Sequence, residues 1–366
     1  MSVLDPVGHH PQYKHLVACF LTALIHGHNA SNKLKMRSKT IRQYAEAVNK
    51  LFTLRKVTPP YTPGDKSNEC HLLISGVKDA EDIANQRSPL DERIATEVVK
   101  LGNQSHINSA ESLFKNLLCI ARYVGPRLSE YACETQTKIT YHTWPARDEK
   151  VVRPWILSDF RFFDKSGDVV QLAGRTSDSI NVLYGEIHSM WIRWRIQKNR
   201  QNGQKIKLPS DKEHRDICPV YNALQIAMRK LRLDRANMET PLCVFAKKNS
   251  TTPLYITGKK VKDILQRAVI LAHPNMSAED LKKYSAHSLR VWPCVLLDEA
   301  NKQPQYIQNR LRWLGDSYRL YLRDTNKSSN AHREALFASS VAIMDAISEE
   351  SPGILDESYT LVDDAD

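Results

Sequence analysis

The sequence predicts a mostly α-helical protein with a small antiparallel β-sheet, organised as two domains. Apolar residues recur at helical spacing through most of the chain, which is the pattern of amphipathic helices. Two hairpin signals interrupt this pattern, one at Asp164–Gly167 and one at Gln201–Gly203, each between segments rich in β-forming residues. A length of 366 residues exceeds the usual size of one domain, so a second hydrophobic core is expected.

The first predicted domain covers residues 1–105 and is helical. Its apolar run at 16–25 has no basic segment before it and no clear cleavage site after it, which predicts a buried helix and not a signal peptide. Thr40 and Gln43 form a capping-box pattern that predicts the start of a second helix. The packed face of that helix is predicted to consist of Ile41, Tyr44, Ala45, Val48, Leu51 and Phe52.

The same helix lies in the densest basic segment of the chain. Residues 33–56 hold eight Lys and Arg side chains and one acid, Glu46. The candidate DNA-binding residues are those that open this segment, namely Lys35, Arg37, Lys39 and Arg42. An ordinary solvated helix face is an equal alternative for such a segment. The net charge of +11 also favours a polyanionic partner, and it understates the basic character of the body, because residues 349–366 carry seven acids and no Lys or Arg.

The second predicted domain covers residues 106–348 and is followed by the acidic segment 349–366, which is expected to be disordered. Asn108 and Glu111 predict the start of an amphipathic helix that ends at Gly125-Pro126. After the two hairpin signals, further helices are predicted at 219–233, at 259–272 with Thr257 as its cap, and at 287–299, 304–313 and 331–347.

The cysteines and the apolar runs limit the class of protein. Seven cysteines, an odd number with no Cys-x-x-Cys pair, argue against a disulfide framework and a zinc site and favour buried thiols in a reducing compartment. No apolar run approaches the length of a membrane span, so no membrane association is expected.

Five short motifs follow one another in the second domain. Gly125-Pro-Arg127-Leu-Ser-Glu130 lies at a predicted turn that opens a helix, and Lys198 lies in the second hairpin. His287-Ser-Leu-Arg290 comes next, followed by Trp313 and then by Tyr321. Each motif alone is weak, but their order and settings are specific. Together, over about residues 113–325, they resemble the tyrosine recombinases, also called phage-type integrases. Pro126 stands where an aliphatic residue is usual, and Trp313 stands where many members have histidine.

This resemblance implies a two-domain architecture, with a helical core-binding domain and an α+β catalytic domain that enclose DNA as a clamp. It implies a site-specific recombinase that cuts and rejoins double-stranded DNA through a 3′-phosphotyrosyl intermediate, acting as a homo-tetramer on paired sites inside the cell, with the host DNA. The matching catalytic residues are Arg127, Lys198, His287, Arg290, Trp313 and Tyr321, with Glu130 in support. Because phosphotyrosine preserves the bond energy, no cofactor is expected. No metal is expected either, since no ligand set surrounds His287.

Elementary chemistry agrees with these roles. In-line attack on a phosphodiester builds charge on its non-bridging oxygens, which suits permanently charged, bidentate arginines such as Arg127 and Arg290. A tyrosine with a pKa of about 10 needs activation at neutral pH, and the leaving 5′-oxygen needs a proton that a lysine can donate. Lys198 is the candidate for this acid, with Lys205 and Lys207 as rivals.

Two further alternatives concern the nucleophile and the activity. Tyr318 lies three residues before Tyr321 on the same predicted helical face. The resemblance favours Tyr321, through its spacing from Trp313 and through Arg323 after it. There are two alternative functions. The protein would be either a domesticated recombinase that binds DNA without cleaving it or an enzyme like the type IB topoisomerases. The first would be marked by lost catalytic residues, and none of the motif residues is lost.

Overall fold

The structure is a computed structural model that describes residues 13–26, 36–80, 87–144, 149–197, 202–235, 237–322, 330, 331, 333 and 334. It confirms the predicted fold class, mostly helical with small antiparallel sheets. The chain divides into two compact units, residues 1–85 and 86–366. Among the described residues, no helix is long and apolar enough to cross a bilayer. Most of the helix predicted at 331–347 and all of the acidic segment 349–366 lie outside the described residues.

In its described residues, the N-terminal unit contains three helices, α1 (Tyr13–Ile25), α2 (Ser38–Leu54) and α3 (Glu69–Asp79). The apolar run at 16–25 is confirmed as a packed helix, with Val17 and Leu21 buried against the other two helices. The capping-box prediction for α2 is wrong, because the helix begins at Ser38 and Arg37 is the cap residue. The packed face of α2 is confirmed only in part, since Tyr44 and Leu51 remain more than 40% exposed.

The division between the two units falls after residue 85, before the predicted boundary at 105. Helix α4 (Glu92–Gln104) packs on two helices of the second unit, α5 (Ala110–Val124) and α9 (Gly258–Ala272). Its apolar residues Ile94 and Val98 are fully buried in that core. The apolar stripe of α4 therefore has its partners in the second unit.

The framework of the C-terminal unit is formed by its longer helices, which pack around α5. Helix α5 packs against α8 (Pro219–Leu233) and α11 (Ser288–Glu299), and α11 packs against α12 (Pro304–Leu311). The predicted α8 and α9 are confirmed, and Thr257 accepts a hydrogen bond from Lys260 N as the expected cap of α9. Helix α5 is capped by Ser109 and not by Asn108, because the Ser109 hydroxyl accepts from Ser112 N. The short helices are α6 (Leu128–Tyr131), α7 (Ile180–Glu186) and α10 (Ala278–Leu281), with 3₁₀ turns at Leu157–Asp159, Arg215–Ile217 and Asp316–Tyr321.

A three-stranded antiparallel sheet lies beside this framework, in the order β3 (Phe160–Phe163), β4 (Ser189–Arg193) and β5 (Lys205–Pro209). The predicted pairing across Gln201–Gly203 is confirmed, with Met190 opposite Leu208. Gly167 has φ 91° in the turn after β3, as a tight turn requires, but only Phe163 and Val169 pair across it, so this predicted hairpin is much shorter than expected. Two further hairpins were not predicted, β1 (Tyr141–Trp144) with β2 (Glu149–Val152) and β6 (Val244–Phe245) with β7 (Leu254–Tyr255).

The cysteines are all free, and six of the seven are buried. Cys19 is the exception, because it lies on the exposed side of α1.

Candidate active site

The turn after α5 places Arg127. The helix ends where Gly125 adopts a left-handed conformation, with φ 50° and ψ 63°. A Cβ atom at this position would lie 3.0 Å from Pro293 Cγ and 3.3 Å from Arg290 O, so the close approach of α11 also requires glycine. The chain then turns, and Arg127 becomes the residue that precedes α6, with its side chain 23% exposed.

Arg290 reaches this turn from α11. It is 3% exposed, and its Nη1 donates to Gly125 O at 2.5 Å. The ring of Trp313 lies 4.5 Å from its guanidinium carbon, so the indole face covers the cation. Burial, followed by the charges of Arg312 and Arg127, lowers the pKa of Arg290 to about 9. The group is therefore still a cation at neutral pH.

The guanidinium groups of Arg127 and Arg290 converge on one atom. The carbonyl oxygen of Arg312 accepts from Arg127 Nη2 at 3.4 Å and from Arg290 Nη2 at 3.2 Å. Two residues 163 positions apart in the sequence thus form one cationic cluster. This cluster has the donors and the charge to bind the non-bridging oxygens of a phosphodiester.

His287 and Tyr321 lie beside this cluster and contact each other. His287 Nε2 is 3.0 Å from the Tyr321 hydroxyl oxygen. Partial burial, with the charges of Arg290 and Arg87, lowers the pKa of His287 below its ordinary value of 6.5. The imidazole is therefore mainly neutral at neutral pH, and its unprotonated nitrogen can accept the tyrosine proton. Burial, with Cys294 nearby, raises the pKa of Tyr321, so the hydroxyl holds its proton in the protein alone.

The two rival tyrosines have different environments. Tyr318 is fully buried, where it packs with Cys294, Ile307 and Leu311. Tyr321 is partly exposed at the end of the 3₁₀ turn and faces His287. The Trp313 ring lies 6.3 Å from both tyrosine rings. Access to a large substrate therefore favours Tyr321.

Glu130 is the buried anion of the site. It is 4% exposed, and its carboxylate accepts from Arg127 N at 2.9 Å, from Arg127 Nη1 at 3.2 Å and from Trp194 Nε1 at 3.0 Å. Burial alone would raise its pKa, but Arg312 and then Arg127 outweigh burial, and the pKa of Glu130 is lowered. The carboxylate therefore stays ionised and fixes the arginine turn.

Arg312 was missed by the sequence reasoning. It is 1% exposed, and its two terminal nitrogens donate to the two oxygens of Glu130 at 3.1 and 3.2 Å. An arginine at the end of a predicted helix looks like a surface residue, because its partner Glu130 is 182 positions away. Its position directly before Trp313, within a proposed catalytic motif, was the one available signal.

The remaining predicted residues are not brought into this cluster by the described structure. Lys198 and Lys35 lie outside the described residues. The rival lysines are exposed on β5, where Lys205 Nζ lies 4.9 Å from the Trp191 ring and the carbonyl of Lys207 accepts from Arg310 on α12. Three predicted DNA-binding residues, Arg37, Lys39 and Arg42, are exposed around the first turn of α2 in the other unit. In the described part of the chain, no three His, Cys, Asp or Glu side chains gather as a metal site would require.

Comparisons with known proteins give likenesses of fold. No protein-family model matches the sequence, and no curated protein matches it. The chain is similar to the Tn1549 transposon integrase in complex with transposon right end DNA, at 12% identity and a TM-score of 0.43, covering 88% of this chain and 85% of that chain. It is also similar to XerA recombinase, at 12% identity and a TM-score of 0.36, covering 92% and 98% of the two chains. Both are tyrosine recombinases, the family that the motifs resemble. Because these scores and identities are low, the function proposed below rests on the residues of the site.

Proposed function

We propose that this protein is a site-specific DNA recombinase or integrase that cleaves and rejoins DNA strands through a 3′-phosphotyrosyl intermediate. The observation that carries the proposal is the cluster itself. Arg127 and Arg290 share the carbonyl of Arg312, while His287 Nε2 lies 3.0 Å from the Tyr321 hydroxyl. Four side chains from three motifs thus supply the phosphate-binding cations, a nucleophile and a proton acceptor within one site.

Phosphate binding falls to Arg127 and Arg290. In-line attack makes the phosphorus five-coordinate and increases the charge on its non-bridging oxygens. Fixed guanidinium groups stabilise that charge more than the ground state, and they do so without reorganisation during the reaction. Trp313 covers Arg290 and holds it in place.

Tyr321 is the proposed nucleophile and His287 the proposed general base. The Tyr321 oxygen forms a bond to phosphorus while the bond from phosphorus to the 5′-oxygen breaks, and His287 Nε2 takes the phenolic proton. The products are a 3′-phosphotyrosine and a free 5′-hydroxyl on the other strand end. Attack by a 5′-hydroxyl on the phosphotyrosine reverses these steps, returns the proton from His287 to Tyr321 and joins the strand.

The leaving 5′-oxygen receives its proton from a lysine. Lys198 remains the candidate, because it lies between β4 and β5 in the sequence and because Oε1 of Gln197, the residue before it, lies 3.4 Å from Arg312 Nη1. Lys205 and Lys207 remain the rivals, although both side chains lie on the exposed face of β5.

Double-stranded DNA is the proposed partner, with Lys35, Arg37, Lys39 and Arg42 as backbone contacts in a core-binding domain. The exposed side chains of Arg37, Lys39 and Arg42 support this role, as does the excess of positive charge over residues 1–348. Assembly as a tetramer on paired sites is proposed from the motif resemblance.

A nicked suicide substrate tests this function. Nicked duplexes tiled across the DNA that flanks the coding region are incubated with the protein, and denaturing gels detect a covalent protein–DNA adduct. The wild-type protein is expected to form the adduct and Tyr321→Phe to form none. Tyr318→Phe is the matched control, since it removes a hydroxyl from a buried tyrosine three positions away, and it is expected to retain the adduct.

The outcomes separate the alternatives. DNA binding without any adduct from the wild-type protein would point to a domesticated DNA-binding protein. An adduct that persists in Tyr321→Phe and disappears in Tyr318→Phe would show that the nucleophile is assigned to the wrong residue. Relaxation of supercoiled plasmid without strand exchange between two substrates would place the enzyme with the topoisomerases.

A further inference from the structure

Arg312 occupies an unfavourable backbone conformation for an arginine. It ends α12 with φ 59° and ψ 45°, in the left-handed region that residues with a Cβ atom rarely adopt. Glycine is the common residue at such a helix end. Arginine at this position therefore calls for a role of its side chain that glycine does not have.

The side chain of Arg312 joins three parts of the site. Its bidentate pair with Glu130 reaches α6, its Nη2 also donates to Val124 O at the end of α5, and its guanidinium carbon lies 3.8 Å from the ring centroid of Trp194. Trp194 in turn donates to Glu130, which closes the cluster. Arg312 Nη1 lies 3.4 Å from Oε1 of Gln197, the residue before Lys198 in the sequence.

The backbone of Arg312 acts on the same site. Its left-handed conformation directs its carbonyl toward Arg127 and Arg290, which both donate to it. Each of these arginines has five N–H donors, and in the described structure each uses two of its nitrogens in hydrogen bonds to the protein. Donors therefore remain on both groups for a phosphate.

The charges of the cluster explain why the guanidinium of Arg312 is needed. Glu130 is a buried carboxylate next to Arg127, and without another cation its full charge would act on Arg127 and Arg290. Arg312 donates to both carboxylate oxygens and leaves the guanidinium of Arg127 with a single contact, to one of them. The cluster then holds three cations and one anion, which preserves positive charge for a phosphate.

We propose that Arg312 is a positioning residue of the active site: its guanidinium neutralises Glu130 and its carbonyl orients Arg127 and Arg290, so that both arginines present their remaining donors to the scissile phosphate. This inference rests on the proposed function. It assigns to Arg312 a role in the reaction beyond packing, although the residue does not itself contact the substrate.

Arg312→Gly tests this role, because glycine keeps the left-handed backbone and the carbonyl while it removes the guanidinium. We expect its single-turnover cleavage rate at saturating DNA to fall about a hundredfold, the effect of misplacing one charge-stabilising group. DNA affinity is expected to change by less than about threefold, because most of the affinity comes from backbone contacts elsewhere. Arg229→Ala is the matched control, since it removes another buried arginine, one that bonds to Ile107 O and Ser112 far from the motifs, and its cleavage rate per folded molecule is expected to equal wild type.

The double variant Glu130→Gln/Arg312→Gly separates positioning from packing. Without the charge of Glu130, Arg127 is no longer held by an unpaired carboxylate, so the double variant is expected to cleave at least about tenfold faster than Arg312→Gly alone. A packing role predicts that the second substitution makes cleavage slower or leaves it unchanged, and that result would overturn the proposal. A wild-type rate in Arg312→Gly would overturn it as well.

Two further measurements keep the outcomes distinct. If Arg312→Gly does not fold, as judged by circular dichroism, Arg312→Lys takes its place, because lysine keeps the charge without the bidentate geometry and is expected to lie between wild type and glycine in rate. A wild-type rate in a folded Arg312→Lys variant would then overturn the proposal. If the wild-type protein itself forms no adduct, the proposed function fails, whereas an adduct from wild type with equal rates in the variants refutes only the role of Arg312.

Discussion

His287 offers a quantitative test of the proton transfer through the pH dependence of cleavage. Its Nε2 lies 3.0 Å from the Tyr321 hydroxyl, and its pKa is lowered below 6.5 by partial burial and by the charges of Arg290 and Arg87. A general base acts in its deprotonated form. The cleavage rate should therefore rise with pH through the pKa of His287, at a midpoint below 6.5, and then reach a plateau.

The expected loss of cleavage rate in a His287 variant can be stated at pH 7. With a pKa below 6.5, at least about three quarters of the His287 side chains are neutral at pH 7, so the wild-type rate there is near its plateau. His287→Gln removes the base and retains a polar side chain of similar reach. The plateau rate is expected to fall by about a hundredfold, the lower end of the usual contribution of a general base. The acid limb should disappear with it.

The assay is single-turnover formation of the covalent adduct on a nicked substrate between pH 5 and pH 9, with DNA in saturating amounts. His273→Gln is the matched control, because His273 belongs to the same unit but pairs with Asp91, 2.7 Å away, and lies on no catalytic motif. It should keep both the plateau rate and the acid limb. An acid limb that survives unchanged in His287→Gln would refute the assignment of His287 as the base.

Two further predictions concern the leaving group and the arginine turn. Lys198→Ala should slow cleavage of ordinary DNA but not of a substrate with sulfur at the 5′-bridging position, because the leaving thiolate needs no proton. Lys205→Ala is the control and should cleave both substrates at equal relative rates. If only Lys205→Ala were rescued by the sulfur substrate, Lys205 and not Lys198 would be the general acid. Gly125→Ala places a Cβ atom on a residue in the left-handed conformation, 3.3 Å from Arg290 O. The free energy of unfolding, measured by urea denaturation, should therefore fall by about 1–2 kcal/mol, and cleavage by the folded protein should slow. An unchanged free energy of unfolding would contradict this reasoning.

Much of the fold was predictable because the relevant signals are local. The turn at Asn202-Gly203 and the alternating pattern around it identify β4 and β5, and the proline that opens α8 identifies its start. The two-residue strands β6 and β7 carry too few positions for any periodicity to appear. The partners of α4 could not be read from its own sequence, since it is an ordinary amphipathic helix whose partners α5 and α9 follow it in the chain.

The site shows the same contrast between local and distant information. The motif order identified His287, Arg290, Trp313 and Tyr321 as a set, but their contacts are long-range, and the hydrogen bond between His287 and Tyr321 spans 34 positions. The motif alone does not show that the polar contact of His287 is with Tyr321. Apart from its position directly before Trp313, nothing in the local sequence distinguishes Arg312 from an exposed arginine at a helix end.

On the proposed function, Arg290 couples binding of the phosphate to activation of the nucleophile. In the protein alone, burial and then the charge of Arg290 lower the pKa of His287, and burial raises the pKa of Tyr321, so both groups favour a protonated tyrosine. A phosphate bound to Arg290 would offset the charge that acts on His287, and the basicity of the imidazole would then rise. On the proposed function, the substrate itself therefore strengthens the base that deprotonates Tyr321. We expect such a site to be inert toward water and small electrophiles until DNA places a phosphate on the arginines.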